Sequence, residues 1–272
     1  MTSRRICWGG ATLLAALVMA ASPAVADRLD DIMARHKLIV GVSDTTPPFS
    51  FRQGDTLTGY DLDLVRAVAK RLGVEVETVS VSSEQRIPML KDGKLDFVAT
   101  SMTRTPARER EIAFSVIYFV SPHAVIVRAA SDITSVKQLA GRKVSSARTS
   151  TAGENLHEVV PDADIVYVLN YAIAFQALKD GKVDAFTTDE SVLSAIVRQD
   201  GAPDAYRFLP DFTKSRKVGF ALAKTEIRLK AALNSVLLDL EASGEAERIF
   251  TRWFGPGTEM PLKRTFRIEA GN

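Results

Sequence analysis

The segment Ser101-Met102-Thr103-Arg104-Thr105-Pro106-Ala107-Arg108 brings hydroxyls, a helix start and an arginine together. A helix N-terminus presents unpaired N–H groups and partial positive charge, and a guanidinium adds a two-pronged donor. Ser101, Thr103 and Arg108 are therefore candidates for a carboxylate-sized anion site. The same residues also read as an ordinary cap, with Thr105 as N-cap, Pro106 as first helical residue and Arg108 on a solvated face beside Glu109.

Further along, Ser150 and Thr151 offer a second pair of hydroxyls. Asp189 leaves an apolar strand at a position that echoes Ser101. A carboxylate only accepts hydrogen bonds, so opposite an anion site it suits an ammonium group. Together these residues describe a clamp for a zwitterion, an α-amino acid with its carboxylate on Arg108 and its ammonium on Asp189. The other reading of Asp189 is a helix cap ahead of Ser191 and Val192. Arg86, on a helix expected to begin at Ser83, is a candidate for a second acidic group of the ligand, although most arginines are simply solvated.

Catalytic constellations are thin. His36, His123 and His157 are scattered without metal-ligand spacing, and His36 and His157 fit exposed helical faces. There is no nucleophile-elbow serine, no phosphate loop and no dinucleotide fingerprint. The carboxylate pairs Asp61-Asp63 and Asp189-Glu190 fall at capping positions. Neither an enzyme nor a cofactor is expected.

Positioning such residues requires strand ends facing one cleft. Asp30 to Lys37 reads as a short helix feeding the strand Leu38 to Val42. Asp61 is the expected N-cap of a helix that carries Val65, Val68 and Leu72 and ends at Gly73, with a strand starting at Val74. Strand, helix and strand in that order imply a parallel sheet of the α/β class. Leu90-Lys91-Asp92-Gly93-Lys94-Leu95-Asp96-Phe97 recurs as Leu178-Lys179-Asp180-Gly181-Lys182-Val183-Asp184-Ala185. Each copy reads as helix, Asp-Gly turn and buried strand, which suggests two similar lobes sharing a cleft, although such a turn also recurs by chance in α/β chains. No linker separates the halves, so strands must join them, and His123 to Val127 and Val218 to Leu222 are the expected crossings. The expected lobes are then residues 27–122 with 218–272, and residues 123–217. Thr225 is the expected cap of a helix through Leu229, Leu233, Leu237 and Leu240, followed by a second helix from Ser243 to Phe254.

The chain of 272 residues is 46% hydrophobic and 25% charged, which is globular composition with room for two domains. Arg4 and Arg5, the apolar run Ala11 to Ala21 and Ala24-Val25-Ala26 have the order of a secretory signal, so residues 1–26 are an expected leader cleaved after Ala26. The apolar run is too short for a lasting membrane anchor. Cys7, the only cysteine of the chain, falls inside that leader. The mature chain then has no disulfide or cysteine metal site. Removing Arg4 and Arg5 brings Lys+Arg from 35 to 33, equal to the 33 Asp+Glu. A neutral chain without a basic block offers no footprint for nucleic acid.

With these residues in view, the chain resembles the periplasmic amino-acid-binding proteins of bacterial ABC importers, solute-binding protein family 3. The likeness runs from Leu38-Ile39-Val40-Gly41-Val42 through Pro48-Phe49, Gly59-Tyr60-Asp61, the Asp92 to Asp96 turn, Met102-Thr103-Arg104-Thr105 and Phe114-Ser115 to Trp253-Phe254. It implies two α/β lobes joined by a two-strand hinge that close on one ligand, a monomer in the periplasm, and a membrane permease of an ABC transporter as partner. It also implies that Ser101, Thr103 and Arg108 hold the α-carboxylate, that Thr151 assists from the other lobe, and that Asp189 receives the ammonium.

Within the family the chain is most similar to glutamate/aspartate binders, through Ser83 to Pro88, Ser243 to Glu247 and Pro261 to Ile268. There the residues matching Ser83 and Arg86 bind the ligand's side-chain carboxylate. Thr46 stands where histidine- and glutamine-binding relatives place an aromatic ring. Two positions depart from the acidic-ligand pattern: Ser43 replaces an arginine, and Tyr171 replaces a histidine while keeping a donor. Losing one cation of such a pair could cost ~2–5 kcal/mol. The expectation is an acidic amino acid, with the amides glutamine and asparagine as the alternative. An exported enzyme on the same scaffold, resembling cyclohexadienyl dehydratase, is the reading from another class. Its catalytic glutamate would fall at Val192, and Glu190 comes too early.

Overall fold

The computed structural model describes residues 27–148, 150–212 and 214–271, so the expected leader lies outside the described residues. The Asp27 carboxylate accepts from the Leu29 N–H and starts helix α1 (Arg28–Arg35), slightly ahead of the expected Asp30. Strand β1 (Lys37–Val42) leads into a small antiparallel sheet of β2 (Thr45–Thr46), β3 (Ser50–Gln53) and β4 (Thr56–Thr58). Helix α2 (Tyr60–Leu72) then buries Leu62, Leu64, Val65 and Val68 almost completely. Each such side chain contributes roughly 1.5–3 kcal/mol. Gly73 closes the helix in the left-handed conformation, as its spacing predicts.

The start of α2 differs from expectation. Gly59 occupies the N-cap and Asp61 sits fully buried in the first turn. Gly59 has φ 134°, and a Cβ there would lie 2.2 Å from the Phe49 carbonyl oxygen, so no side chain fits. With the glycine at the cap, Asp61 is rotated inward toward polar partners instead of outward to the helix end.

Strand β5 (Glu75–Ser80), helix α3 (Arg86–Lys91), strand β6 (Phe97–Ala99), helix α4 (Pro106–Glu109) and strand β7 (Ala113–Phe114) complete the first half. Helix α3 begins at Arg86, not Ser83, because Gln85 takes the N-cap and its side chain accepts from the Ser82 N–H to close a turn. The second half runs β8 (Phe119–Arg128), β9 (Lys143–Ala147), α5 (Ala152–Val159), β10 (Asp164–Val168), α6 (Tyr171–Lys179), β11 (Ala185–Asp189), α7 (Glu190–Gln199), β12 (Tyr206–Phe208) and β13 (Ser215–Val218). The chain then returns to the first half as β14 (Ala221–Leu222), α8 (Ile227–Ala242) and α9 (Glu245–Phe254). Helix α8 starts after Glu226 and α9 after Gly244, each one or two residues beyond the expected starts. No helix among the described residues is long and apolar enough to cross a membrane.

The result is a two-lobed α/β fold. One sheet has the order β5-β1-β6-β14-β7 and the other β10-β9-β11-β8-β12, with β13 also on β8. Strand β1 is parallel to β5 and β6, and β9 is parallel to β10 and β11, as crossover helices require. The sequence echo reappears in three dimensions. Asp92 and Asp180 are helix C-caps, and Gly93 and Gly181 follow at φ 67° and 70°. One turn later Asp96 accepts from the Ile39 N–H in one sheet and Asp184 from the Lys143 N–H in the other, so each copy pins the neighbouring strand.

The crossings lie elsewhere than predicted. His123–Val127 pairs with Asp189–Ala185 inside the second sheet, and Ala221 pairs with Val98 and Phe114 inside the first. The passage between lobes is made by Phe119–Pro122 against Ser215–Val218. An apolar run marks any strand covered on both faces, and only the pairing reveals which sheet it joins.

Candidate functional site

Strand β6 delivers its chain to Ser101, which adopts φ 52°, a left-handed conformation that a non-glycine residue rarely takes. Its backbone is fixed from behind. The Ser101 N–H donates to Asp61 Oδ2 at 2.5 Å, the Tyr118 hydroxyl donates to Asp61 Oδ1 at 3.0 Å, and the Tyr60 hydroxyl donates to the Tyr118 carbonyl at 2.9 Å. Burial raises the Asp61 pKa from 3.8 to about 7, against the opposing pull of the Tyr118 and Ser101 hydrogen bonds and of the charges on Arg216 and Arg86. A buried carboxylate is thus used to hold one strained backbone turn.

Strand β11 ends at Asp189, which is 4% exposed. Asp189 stands at the N-cap of α7 but makes no side-chain cap bond, so the capping alternative is not its role here. Its Oδ2 lies 2.7 Å from Arg216 Nε and its Oδ1 lies 3.3 Å from His123 Nε2. The other ring nitrogen of His123 lies 2.9 Å from Asn155 Nδ2. With the amide donating to Nδ1, the ring proton sits on Nε2 and faces Asp189. Arg216 meanwhile donates from Nη1 to Ser101 Oγ at 2.8 Å and to the Ser101 carbonyl at 3.2 Å, and its guanidinium lies 4.9 Å over the Phe49 ring. One arginine from the crossing strand therefore joins the strand exits of both lobes.

A cavity of about 1080 Å³ opens at this junction. Small-molecule sites commonly span ~300–1,000 Å³, so it has room for an amino acid. Ser43, Thr46, Ser83, Arg86 and Ser101 line it from the first lobe, and Tyr171 and Asp189 from the second, with Arg216 between. The Ser43 hydroxyl is 2.8 Å from that of Thr46. Asn170 caps α6 by accepting from the Ile173 N–H, which sets Tyr171 at the first position of that helix. Val192, at the position a dehydratase-like enzyme would fill with glutamate, is also part of the lining.

Arg86 is mostly buried, and burial lowers its pKa from 12.5 to about 10, with the Arg108 charge adding to the shift. Its buried Nε has no hydrogen-bond partner among the described residues. An Arg86 guanidinium whose charge is disfavoured by burial and by Arg108 is an attractive place for an anion.

Four of the expected residues lie outside the cavity lining. Arg108 donates from Nη1 to the Thr103 carbonyl at 2.7 Å, and its backbone N–H reaches Thr105 Oγ1 at 3.3 Å, as the cap reading predicts. Burial also lowers the Arg108 pKa, while Glu154 on α5 of the other lobe raises it, so Arg108 faces across the gap. Ser150 accepts from the Ala152 N–H and lies 3.3 Å from Thr188 Oγ1. The Thr151 hydroxyl is buried without a partner among the described residues.

Sequence reasoning missed Arg216, the inward role of Asp61 and the placement of His123 behind Asp189. Arg216 sits in a polar stretch with no motif around it, and only its register opposite Ser121 brings it to the cleft. The one available signal for His123 was its place in an apolar run, since it is 1% exposed. Among the described residues no group of His, Cys, Asp and Glu could hold a metal ion.

Residues 38–256 match the bacterial extracellular solute-binding proteins, family 3, and the chain belongs to that family. It is 38% identical to the glutamine-binding protein of Geobacillus stearothermophilus over 202 residues, 72% of this chain and 76% of that protein. It is 26% identical to the glutamate/aspartate import solute-binding protein of Salmonella typhimurium, covering 86% of this chain and 81% of that one. Among solved structures it is similar to an ancestral amino acid-binding protein described as a precursor of cyclohexadienyl dehydratase, with TM-score 0.72 and 32% identity, covering 84% of this chain and all of that one.

Proposed function

We propose that this member of the family is the extracytoplasmic receptor of an ABC importer for a polar α-amino acid, glutamine before glutamate or aspartate. The observation that carries the reading is the junction of Ser101, Arg86 and Asp189, donors from the first lobe facing an acceptor from the second across a single cavity. The preference for glutamine is supported by the greater identity to a glutamine-binding relative than to a glutamate/aspartate one. Ser43 in place of a second arginine weighs the same way, since it leaves a neutral hydroxyl where an acidic side chain would want a charge.

In this reading Arg108 and the Ser101 and Thr103 segment take the α-carboxylate as the lobes approach, and Thr151 adds its unpartnered hydroxyl from α5. Asp189 takes the ammonium through Oδ1. The lobes are residues 27–122 with 218–272 and residues 123–217, turning about the β8/β13 crossing, and the closed surface is presented to a membrane permease. Residues 1–26 act as the export signal, and the receptor works as a periplasmic monomer.

The first test is thermal unfolding of ligand-stripped residues 27–272 with glutamine, glutamate, aspartate, asparagine, histidine, lysine and prephenate. A ligand at ~100 times its dissociation constant stabilises by ~2.7 kcal/mol, or roughly 5 °C for a chain of this size. A shift with glutamine first and glutamate second supports the reading, and turnover of prephenate would replace it with an enzyme. Arg108→Ala should abolish amino-acid binding in calorimetry without lowering the melting temperature; unchanged affinity would remove Arg108 from the site.

A further inference from the structure

Resting on the receptor reading above, we infer that Arg216 is the specificity-determining residue of the cleft: it selects ligands whose side chain carries an acceptor and rejects those whose side chain carries a second positive charge. The argument starts from geometry. Arg216 lies on the crossing strand β13, its side chain is 11% exposed, and it lines the same cavity as Arg86 and Asp189. Phe49 and Phe119 lie under its guanidinium at 4.9 and 5.8 Å, which fixes the plane of the group. Its Nε forms an ion pair with Asp189 Oδ2 at 2.7 Å, and its Nη1 hydrogen-bonds to Ser101.

Two consequences follow from that placement. First, Asp189 is the acceptor at the β11 exit, and one of its oxygens already faces a full positive charge. The remaining oxygen, Oδ1, faces His123 Nε2 and can serve one ammonium. A lysine or arginine ligand brings a further cation into a space where Arg86 and Arg216 already stand. Of the other acidic groups on the lining, Asp200 is paired with Lys179 at 2.5 Å and Asp44 is half-buried on the first lobe. Like charges brought together with little water between them disfavour binding strongly. Second, the hydrogen bonds of Arg216 run from Nη1 to Ser101, and a guanidinium with five N–H donors retains others for a carbonyl or carboxylate. An amide or carboxylate side chain satisfies those donors; an alkyl one leaves them unpaired.

The cleft thus carries on its crossing strand a cation held between Ser101 and Asp189, not at Ser43.

The test is calorimetry of residues 27–272 with glutamine, glutamate, alanine, lysine and arginine on the wild type, Arg216→Met and Arg216→Lys. The wild type should bind glutamine at least roughly 100-fold more tightly than arginine or lysine. Arg216→Met should shrink that ratio by roughly 100-fold, by weakening glutamine and glutamate and strengthening the cationic ligands as Asp189 is released. Arg216→Lys keeps the charge and should keep the rejection of cations while losing part of the glutamine affinity. Melting curves accompany each variant, and if Arg216→Met does not unfold cooperatively the ratio is read in Arg216→Gln, with the same direction expected. A ratio unchanged in the neutral variant overturns the inference alone. A wild type that binds arginine as tightly as glutamine also overturns it, while one that binds no amino acid overturns the receptor reading and this inference together.

Discussion

The exits of β6 and β11 are built to one local plan and carry opposite chemistry. Each follows a helix, an aspartate C-cap, a left-handed glycine and an aspartate that pins the neighbouring strand. At the first exit a buried carboxylate, Asp61, lies behind the chain and turns Ser101 so that its hydroxyl faces the cleft. At the second the carboxylate, Asp189, is itself the group at the cleft, and its partners Arg216 and His123 stand beside it. The repeat supplies position, and what is packed against each exit supplies the charge. A donor face and an acceptor face thus arise from one motif by moving an aspartate from the support to the front.

That contrast can be broken on its first side at Gly59, which seats Asp61. A Cβ at Gly59 would collide with the Phe49 carbonyl at 2.2 Å in a backbone region closed to side chains. Gly59→Ala should cost about 3–5 kcal/mol in urea unfolding, and a loss under about 1 kcal/mol would mean the segment shifts freely. The second side is broken at Asp189. Asp189→Ala leaves Arg216 uncompensated at the cleft and should weaken glutamine binding roughly 100-fold in calorimetry, with a smaller stability loss than Gly59→Ala. Equal affinity in that variant would take Asp189 out of ligand recognition.

Asp61 at the first exit should also show itself in the pH dependence of stability. In the folded chain Asp61 titrates near 7 because burial disfavours its charge, against 3.8 when unfolded. Between those values the native state binds a proton that the unfolded state has released, so this group lowers stability as pH rises from about 4 to about 7. Asp61→Asn removes that slope. The stability of the wild type minus that of Asp61→Asn should therefore be more favourable at about pH 5 than at about pH 8, by an amount on the order of 1–3 kcal/mol. An identical difference at both pH values would show that Asp61 carries no unusual proton.

The mildest probe is Ser101→Gly, which suits φ 52° while deleting the hydroxyl that Arg216 contacts. Stability should change by no more than about 1 kcal/mol, since backbone relief offsets the lost hydrogen bond. Ligand affinity should nevertheless fall about tenfold. A large stability loss would mean that the Ser101 hydroxyl belongs to the framework more than to the site.

Much of this arrangement could be read from residue order, because it depends on neighbours in the chain. The Asp-Gly turns, the Gly73 cap, the Thr105-Pro106 helix start and the leucine spacing of α8 are local, and the two echoed copies announce two similar lobes. The cavity lining contains seven of the eleven residues singled out beforehand, Ser43, Thr46, Ser83, Arg86, Ser101, Tyr171 and Asp189. What misled the reading was long-range. Asp61 has the sequence look of a cap, yet the collision that forces glycine at position 59 comes from Phe49, at the adjoining end of the β3/β4 hairpin. His123–Val127 looks like a crossing, yet its partner strand ends at Asp189.

By itself, then, the sequence determined the elements, their pairing into two like halves and the hydroxyls, arginines and aspartate from which a zwitterion site could be made. The tertiary structure alone decided that Arg216 lines the same cavity as those residues. A residue in a strand has its face set by the register of a partner more than ninety residues away, here Arg216 opposite Ser121, and a one-residue slip would turn it out of the cleft. Charge balance at a cleft is a sum over such distant placements, which residue order alone does not reveal.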